Sequence, residues 1–406
     1  MTAYRSSLLK LLDERGYIHQ VTDAEGLDAL ARREKITAYI GFDATASSLH
    51  VGSLVQIMIL RHLQRKGHHP IVLMGGGTTK VGDPSGKDES RRLLSNAAIQ
   101  KNIYGIMRVF ERFLDFDHPK NPARMVDNAS WLDNLKYVSF LRRIGRHFTI
   151  NRMLTYDSVR LRLDREQPLT FLEFNYMILQ AYDFYQLWNR AECRVQMGGS
   201  DQWGNIVNGI DLTRRLAGVE LFGLTTPLIT TADGAKMGKT AQGAVWLNEE
   251  LTSPYEYWQF WRNTQDADVG RFLRLFTEVP IGKVRHLEDL PGSRINEAKV
   301  ILATEATALL HGRVAAEAAR KTAEATFGQG LAGDDLPTLC LPKNGMSVME
   351  ANVAIGFAGS NKEVKDRMAA GAVKVNGEPV SDPRYLVLPG DTFSFGKKKH
   401  AKTALL

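Results

Sequence analysis

The segment 171–184, FLEFNYMILQAYDF, places Tyr176, Gln180 and Asp183 at i, i+4 and i+7. That spacing is one face of a helix. The residues around them, Phe171, Phe174, Met177, Ile178, Leu179 and Phe184, are apolar. Burying a hydroxyl, an amide and a carboxylate in such company is costly unless each finds a partner. The stripe either lines a pocket for a polar ligand or closes on itself as a core network.

Four further segments have the makings of phosphate or nucleotide sites. In 39–53, YIGFDATASSLHVGS, a strand runs out at Asp43 and His50-Val51-Gly52-Ser53 opens a helix. Backbone N–H groups at a helix start favour anions, and glycine lets a phosphate approach. A histidine there can donate to charge developing on a phosphate. In 233–240, DGAKMGKT, Lys236 and Lys239 sit three apart in a glycine-bearing loop that could close over phosphates. In 75–87, GGGTTKVGDPSGK, glycines follow a strand and Asp83 offers a carboxylate at the rim of a sheet. In 196–203, QMGGSDQW, a strand ends in Gly198-Gly199, and Asp201 and Gln202 begin a helix, a position suited to ribose hydroxyls. Each segment also has a plain reading: a turn with a surface histidine, a solvated basic loop, a long turn, an N-capping acid. The one GxGxxG match, GQGLAG at 328–333, follows a helix rather than a strand, which argues against a dinucleotide site.

These residues need elements to carry them. Strand-like runs at 36–43, 70–74, 123–127 and 193–197 alternate with helical patterns at 51–66, 96–113, 137–148, 171–188 and 201–216. Strands separated by helices of this length predict a doubly wound parallel sheet, which binds ligands beyond the carboxyl ends of its strands. From 253 to 327 the pattern becomes mostly helical, and GQGLAGDDLP reads as a linker. The tail has a different texture: a basic helix at 361–370, a strand at 371–375, the turn signal Asn376-Gly377, and more strand at 385–395.

Composition narrows the class. The 406 residues exceed one ordinary core and predict two or three domains. Apolar content of 44% and charged content of 24% are those of a globular protein, and no apolar run approaches membrane-spanning length. Leu8, Leu9, Leu11 and Leu12 predict an amphipathic helix rather than a signal peptide. Two cysteines and no CxxC or HExxH spacing point to a reducing, cytoplasmic setting with no protein-bound metal. Ten Lys or Arg against six acids place four of the seven net positive charges in the last 66 residues, so a basic module is expected there. For the lysine run 397–399 alone, a solvated, frayed end is the simpler expectation.

Taken in order, GFDATASSLHVG, GDPSGK, YMILQAYDF and GGSDQWGN resemble the bacterial tyrosyl-tRNA synthetases, class I enzymes, over essentially the whole chain. Residues 50–53 stand where the class has His-Ile-Gly-His, and 236–240 where it has Lys-Met-Ser-Lys-Ser. The tail resembles an S4-type RNA-binding domain. The resemblance implies an α/β fold with a Rossmann-like doubly wound parallel sheet at 1–230. It further implies a signature loop and helical tRNA-binding domain at 231–330, a linker at 331–344 and a small α+β S4-like domain at 345–406.

It implies roles as well. Tyr39 and Asp183 would meet the phenol hydroxyl of L-tyrosine. Asp83, Tyr176 and Gln180 would hold its ammonium group, and Gln202 would lie near its carboxylate. Gly41, Asp43, His50, Gly52, Gly199, Asp201 and Lys239 would contact ATP. Thr45, His50, Lys236, Lys239 and Thr240 would stabilise the reacting α-phosphate and departing pyrophosphate, and Lys87 and Arg91 could also reach phosphate. The substrates implied are tyrosine, ATP with Mg2+ and tRNA(Tyr), handled by a homodimer. The sequence departs from the class at Ser53 (for the second histidine), Gly238 (for the motif serine), Ile40 (for a frequent cysteine) and Ala44 (for a common proline). A tryptophanyl-tRNA synthetase or a nucleotidyltransferase is the nearest alternative, and Tyr39 with Asp183 argues against it. A non-catalytic RNA-binding relative is a second alternative, against which His50, Lys236 and Lys239 argue.

Overall fold

The computed structural model describes residues 4–84, 93–232, 234, 237–240, 243–328, 336–396 and 399–406, with the backbone alone at 157–158, 239–240 and 326–328. The chain folds as two units. The first comprises residues 1–238, 246–248 and 270–286, and the second the remainder.

The first unit is built on a six-stranded sheet: β1 (Gln20–Val21), β2 (Thr37–Phe42), β3 (His69–Met74), β4 (Arg124–Asp127), β5 (Val195–Gly199) and β6 (Phe222–Thr226), in spatial order β1-β6-β5-β2-β3-β4. All neighbours are parallel except β1, which runs against β6. β3 and β5 are buried almost throughout, which is why they read as unbroken apolar runs rather than alternating ones. From β2 the chain builds outward through β3 and β4, then returns to add β5 and β6 on the other side. The order therefore reverses between β2 and β5, and the crevice beyond their carboxyl ends is the natural ligand site.

The helix Tyr176–Ala191 lays Met177, Ile178, Ala181, Phe184 and Leu187 on the core that Tyr39, Ile71, Leu73 and Trp131 also enter. The expected helix at 171–188 is broken at Asn175 into Phe171–Phe174 and Tyr176–Ala191. Thr170 and Glu173 form a reciprocal capping box at its start, and Asn175 Nδ2 donates back to the Phe171 carbonyl at 2.6 Å. At the other end Glu192 adopts φ 50°, a left-handed stop.

The helix Ser7–Arg15 buries Leu8, Leu9 and Leu12. Its last residue, Arg15, is itself buried and donates to the carbonyls of Arg274, Thr277 and Val279 at 2.9, 2.8 and 2.8 Å. The Tyr17 hydroxyl donates to the Leu275 carbonyl. Glu278 pairs with Arg61 and Arg65. These bonds hold Gly270–His286 in the first unit.

The second unit begins with the hairpin β7 (Lys239–Thr240) and β8 (Gly243–Ala244). The helices Pro254–Arg262, Ile295–His311 and Arg313–Gly328 follow. Ser253 and Glu256 cap the first of these, with Pro254 at its first turn. Trp258 is buried and its Nε1 donates to Thr304 Oγ1 at 3.2 Å.

The C-terminal portion has β9 (Thr338–Leu341), β10 (Met346–Ser347), β11 (Val373–Val375), β12 (Glu378–Pro379), β13 (Leu386–Val387), β14 (Thr392–Phe395) and β15 (Lys399–Leu405). Five of these form a sheet in the order β12-β11-β14-β15-β9. The helices Val348–Ala354 and Asn361–Ala369 pack on its core. Asn376 and Gly377 take φ 51° and 87°, the positive pair a two-residue hairpin requires. Lys399 opens β15 and donates Nζ to the Phe357 carbonyl, so this end of the lysine run is ordered sheet rather than a frayed tail. Residues 397–398 lie outside the described residues, as does the linker stretch 329–335.

Among the described residues no helix is long and apolar enough to cross a membrane.

Candidate functional site

The polar stripe of the Tyr176–Ala191 helix faces the crevice between β2 and β5, and each member finds different company. Asp183 lies deepest, at 1% exposure. Its Oδ2 accepts from Asn128 Nδ2 at 2.9 Å and its Oδ1 from Trp131 Nε1 at 2.7 Å. Burial pushes its carboxyl up to about 7, against the pull of those two hydrogen bonds. Tyr39, from the middle of β2, is also 1% exposed and packs edge-on against Phe184 at 5.3 Å. Its hydroxyl makes no hydrogen bond among the described residues. Burial, then the neighbouring Asp183 charge, raise its pKa well above the ordinary phenol value.

Higher in the crevice, Tyr176 donates its hydroxyl to Asp43 Oδ2 at 3.2 Å. Thr78 Oγ1 donates to Asp43 Oδ1 at 2.9 Å and accepts from Asn128 Nδ2 at 3.1 Å. One bonded chain thus runs Tyr176–Asp43–Thr78–Asn128–Asp183. A second runs along the opposite wall. Gln202 Nε2 donates to Asp83 Oδ2 at 3.0 Å, and Gln180 Nε2 donates to Gln202 Oε1 at 3.2 Å. Asn205 Nδ2 donates to Gln180 Oε1 at 3.0 Å. Six of the residues singled out in the sequence, Asp43, Asp83, Tyr176, Gln180, Asp183 and Gln202, therefore share two networks in one crevice.

The glycines set how closely the backbone lies. A Cβ on Gly75 would fall 2.4 Å from Asp43 Oδ1, and one on Gly76 2.2 Å from Asp127 Oδ1. Gly41, at the carboxyl end of β2, faces open space. A Cβ on Gly199, at the end of β5, would meet Asp201 Oδ1 at 2.5 Å, and Asp201 itself is exposed. His50 caps the short turn Val51–Ser53, its Nδ1 accepting from the Gly52 N–H at 3.0 Å. That bond leaves the ring proton on Nε2. A Cβ on Gly52 would sit 2.6 Å from His50 Cε1 and 3.0 Å from the Met237 carbonyl oxygen.

The departures from the class pattern have structural consequences. Gly238 adopts φ +89°, and a Cβ there would lie 2.9 Å from His50 Nδ1 and 3.0 Å from the Gly52 nitrogen, so no larger residue fits this conformation. The Ala44 N–H donates to the buried Thr79 Oγ1 at 2.8 Å, a bond that proline could not make. Thr45 is exposed in the loop after β2. Lys236, Lys87 and Arg91 lie outside the described residues, as do the side chains of Lys239 and Thr240.

Asn128, Trp131, Thr78 and Asn205 carry the networks, and sequence reasoning gave them no role. The available signal was position: Asn128 directly follows β4, at the same carboxyl edge as Asp43 and Gly75.

Comparison with known proteins identifies the family. The sequence profile of the class I tRNA synthetases (W and Y) matches residues 31–328, and that of the S4 domain matches residues 353–393. A curated tyrosine--tRNA ligase of Novosphingobium aromaticivorans is 61% identical, with 98% of each chain covered. One from Rhodospirillum rubrum is 59% identical over the full length of both chains. A C-terminally truncated mitochondrial tyrosyl-tRNA synthetase of Aspergillus nidulans superposes with a TM-score of 0.71 at 29% identity, covering 80% of this chain and 95% of that one. A tryptophanyl-tRNA synthetase of Aeropyrum pernix shares the fold alone, with a TM-score of 0.53 at 17% identity. The crevice at the β2/β5 reversal, its two amide–carboxylate networks and the matching relatives lead to one conclusion: the chain belongs to the class I aminoacyl-tRNA synthetases, in the tyrosine--tRNA ligase family.

Proposed function

We propose that the residues of the crevice divide the work of tyrosine activation as follows. The substrate phenol enters between Tyr39 and Asp183, donating to the carboxylate and accepting from the Tyr39 hydroxyl. Asp83, Tyr176 and Gln180 receive the ammonium group, and Gln202 lies beside the carboxylate. Gly41, Asp43, Gly52, Gly199 and Asp201 accommodate ATP along the carboxyl edge of the sheet. The tyrosine carboxylate attacks the α-phosphate, and pyrophosphate leaves. No side chain becomes covalently attached; positioning and charge stabilisation do the work. His50 Nε2 donates to the developing phosphate charge, and Thr45, Lys236, Lys239 and Thr240 assist the departing pyrophosphate, as the resemblance of the signature loop implies. ATP enters as its magnesium complex, so the metal is part of the substrate. The adenylate then passes tyrosine to the 3′ end of tRNA(Tyr).

The observation that carries this reading is the floor of the crevice. A buried carboxylate fixed by two neutral donors lies beside a buried hydroxyl with no partner among the described residues, a pairing that a phenol completes and an indole does not. Pyrophosphate exchange tests it: tyrosine should support exchange, while phenylalanine and tryptophan at equal concentration should not. Exchange driven by tryptophan would overturn the assignment.

The S4-like portion would hold tRNA. Lys362, Lys365 and Arg367 are exposed on the helix Asn361–Ala369, where they can meet backbone phosphates. Replacing all three with alanine should weaken tRNA binding and flatten its salt dependence, leaving exchange intact. A homodimer fits the first unit, whose residues 137–172 expose Tyr137, Val138, Ile150, Leu161, Phe171 and Leu172, large apolar side chains that a second copy would cover. Sedimentation of Val138→Asp and Ile150→Asp as a monomer would bear this out. A cytoplasmic setting suits an enzyme whose substrates are tRNA and ATP.

A further inference from the structure

The amino ends of the same sheet carry a different cleft, about 610 Å³ in volume, far from the tyrosine pocket. Its cations come from four separate places in the chain: Lys35 before β2, Arg61 and Arg65 at the end of Leu54–Arg65, Arg112 at the end of Asn96–Phe113, and Lys120 in the loop before β4. Among the described residues Asp115 is the one acid lining it.

Some of this charge has a structural use. Arg61 Nη1 donates to the Phe113 carbonyl at 2.7 Å, satisfying a helix end, and Arg61 and Arg65 both pair with Glu278. Lys35, Arg112 and Lys120 have no such use: among the described residues their side chains make no hydrogen bond or ion pair. His118 Nδ1 accepts from the Lys120 and Asn121 amides at 3.3 and 3.1 Å, which leaves its ring hydrogen on Nε2 as a further donor. Lys35 is felt at His69 on the cleft wall, whose pKa is lowered first by burial, then by Arg124 outside the cleft, and then by Lys35.

We propose that this cleft is a second anion site, taking a small ligand that carries two or more linked phosphoryl groups, inorganic or nucleotide-borne. Convergence is the reason for a compact ligand. Cations drawn from four segments onto one cavity surround a short chain of phosphates, whereas a nucleic-acid surface spreads them along a strip. The volume lies in the range of small-ligand pockets. Multiply charged phosphates match several cations at once, and the charge-assisted hydrogen bonds they form are the strong kind.

Calorimetric titration of the full-length protein with inorganic tripolyphosphate tests the proposal. Wild type should bind two equivalents per chain, one of them in the catalytic crevice. Lys35→Ala/Arg112→Ala/Lys120→Ala should bind one, the second site weakening at least 100-fold, while tyrosine-dependent exchange stays within about twofold of wild type. His50→Ala should keep the site that the triple variant loses. Lys35→Arg/Lys120→Arg should retain it, which excludes general damage to the fold. Titration with GTP, which the crevice has no reason to prefer, identifies the source: affinity equal to tripolyphosphate assigns recognition to the phosphates alone, and tighter binding adds the base. Identical isotherms for wild type and the triple variant would overturn the proposal. So would a triple variant that keeps its tripolyphosphate stoichiometry and loses only tRNA affinity, which would make the cleft an RNA contact.

Discussion

At the closed end of the tyrosine crevice, side chains are held by side chains. Asp183 is gripped by Asn128 and Trp131, and Asn128 is bonded in turn to Thr78 and to the Gly77 amide. On the open side, where the nucleotide is proposed to lie, backbone and histidine do the holding: Gly52 N–H on His50, Gly75 pressed against Asp43, Gly41 facing open space. The difference matches what each end must recognise. A phenol hydroxyl is distinguished from a hydrogen by one buried polar contact, so the floor needs an immobile acceptor. Phosphates are identified by charge, so their side needs close backbone approach and mobile donors. Substitutions at the two ends should therefore fail in different kinetic terms.

The largest effect is expected on the open side. In Gly52→Ala the new methyl would displace the His50 ring or the Met237 carbonyl. Exchange should then fall about 10²–10³-fold, as for loss of one transition-state donor. Tyrosine affinity, measured by equilibrium dialysis, should stay within about twofold. An equal loss of affinity would show that the two ends are not separable.

Asp183→Asn comes next. On the proposed reading it removes a charge from the hydrogen bond to the phenol, a contact of about 1.5–3 kcal/mol, so kcat/KM for tyrosine should fall about 10- to 150-fold. The KM for ATP should hold. A rise in both KM values would mean that Asp183 supports the whole crevice rather than the phenol end.

The same carboxyl supplies a pH dependence. With its pKa at about 7, kcat/KM for tyrosine should rise with pH and level off above 7, falling at most about tenfold per unit below it. The step should vanish in Asp183→Asn. In the absence of substrate the linkage runs the other way. A folded-state pKa above the ordinary 3.8 means this group favours the fold most below about pH 4, and that contribution is lost as pH rises through 7. Melting curves across that window should show this decline with rising pH in wild type and its absence in Asp183→Asn.

The smallest effect belongs to Tyr39→Phe. Loss of a neutral bond of about 1 kcal/mol should narrow the tyrosine-to-phenylalanine preference about fivefold. Because the wild-type hydroxyl is buried without a partner among the described residues, the free variant should also be more stable, by about 1 kcal/mol. Lower stability would mean that the hydroxyl is satisfied in the free protein.

Periodicity was a good guide to most of the scaffold. The helix Asn96–Phe113, strands β2 and β3, and the Asn376-Gly377 hairpin all follow from local pattern and turn chemistry. β1 and β6 did not, because Gln20–Val21 is too short to show a period and Phe222–Thr226 mixes glycine and threonine into its run. The break at Asn175 was hidden too: an amide bonding back to Phe171 decides it, and the apolar spacing continues through it. In the site, the Tyr176–Gln180–Asp183 stripe was readable because three polar residues stood out on an apolar helix. Asn128 and Trp131 were not, since an asparagine after a strand and a tryptophan in a core are ordinary. Only the fold brings them to Asp183.

The Arg15 clamp has a consequence in time. Its nearest partner in sequence, the Arg274 carbonyl, lies 259 residues further along the chain. At roughly 5–20 residues per second, a ribosome needs about 13–50 s to make that stretch. Throughout that interval the carbonyl acceptors of Arg15 and Tyr17 do not yet exist. The helix Ser7–Arg15 is thus made long before it can be locked, and the strands up to β6 are made before the clamp can close. Variants of Arg15 should be felt in how long the nascent protein depends on chaperones before they are felt in how fast the finished enzyme turns over.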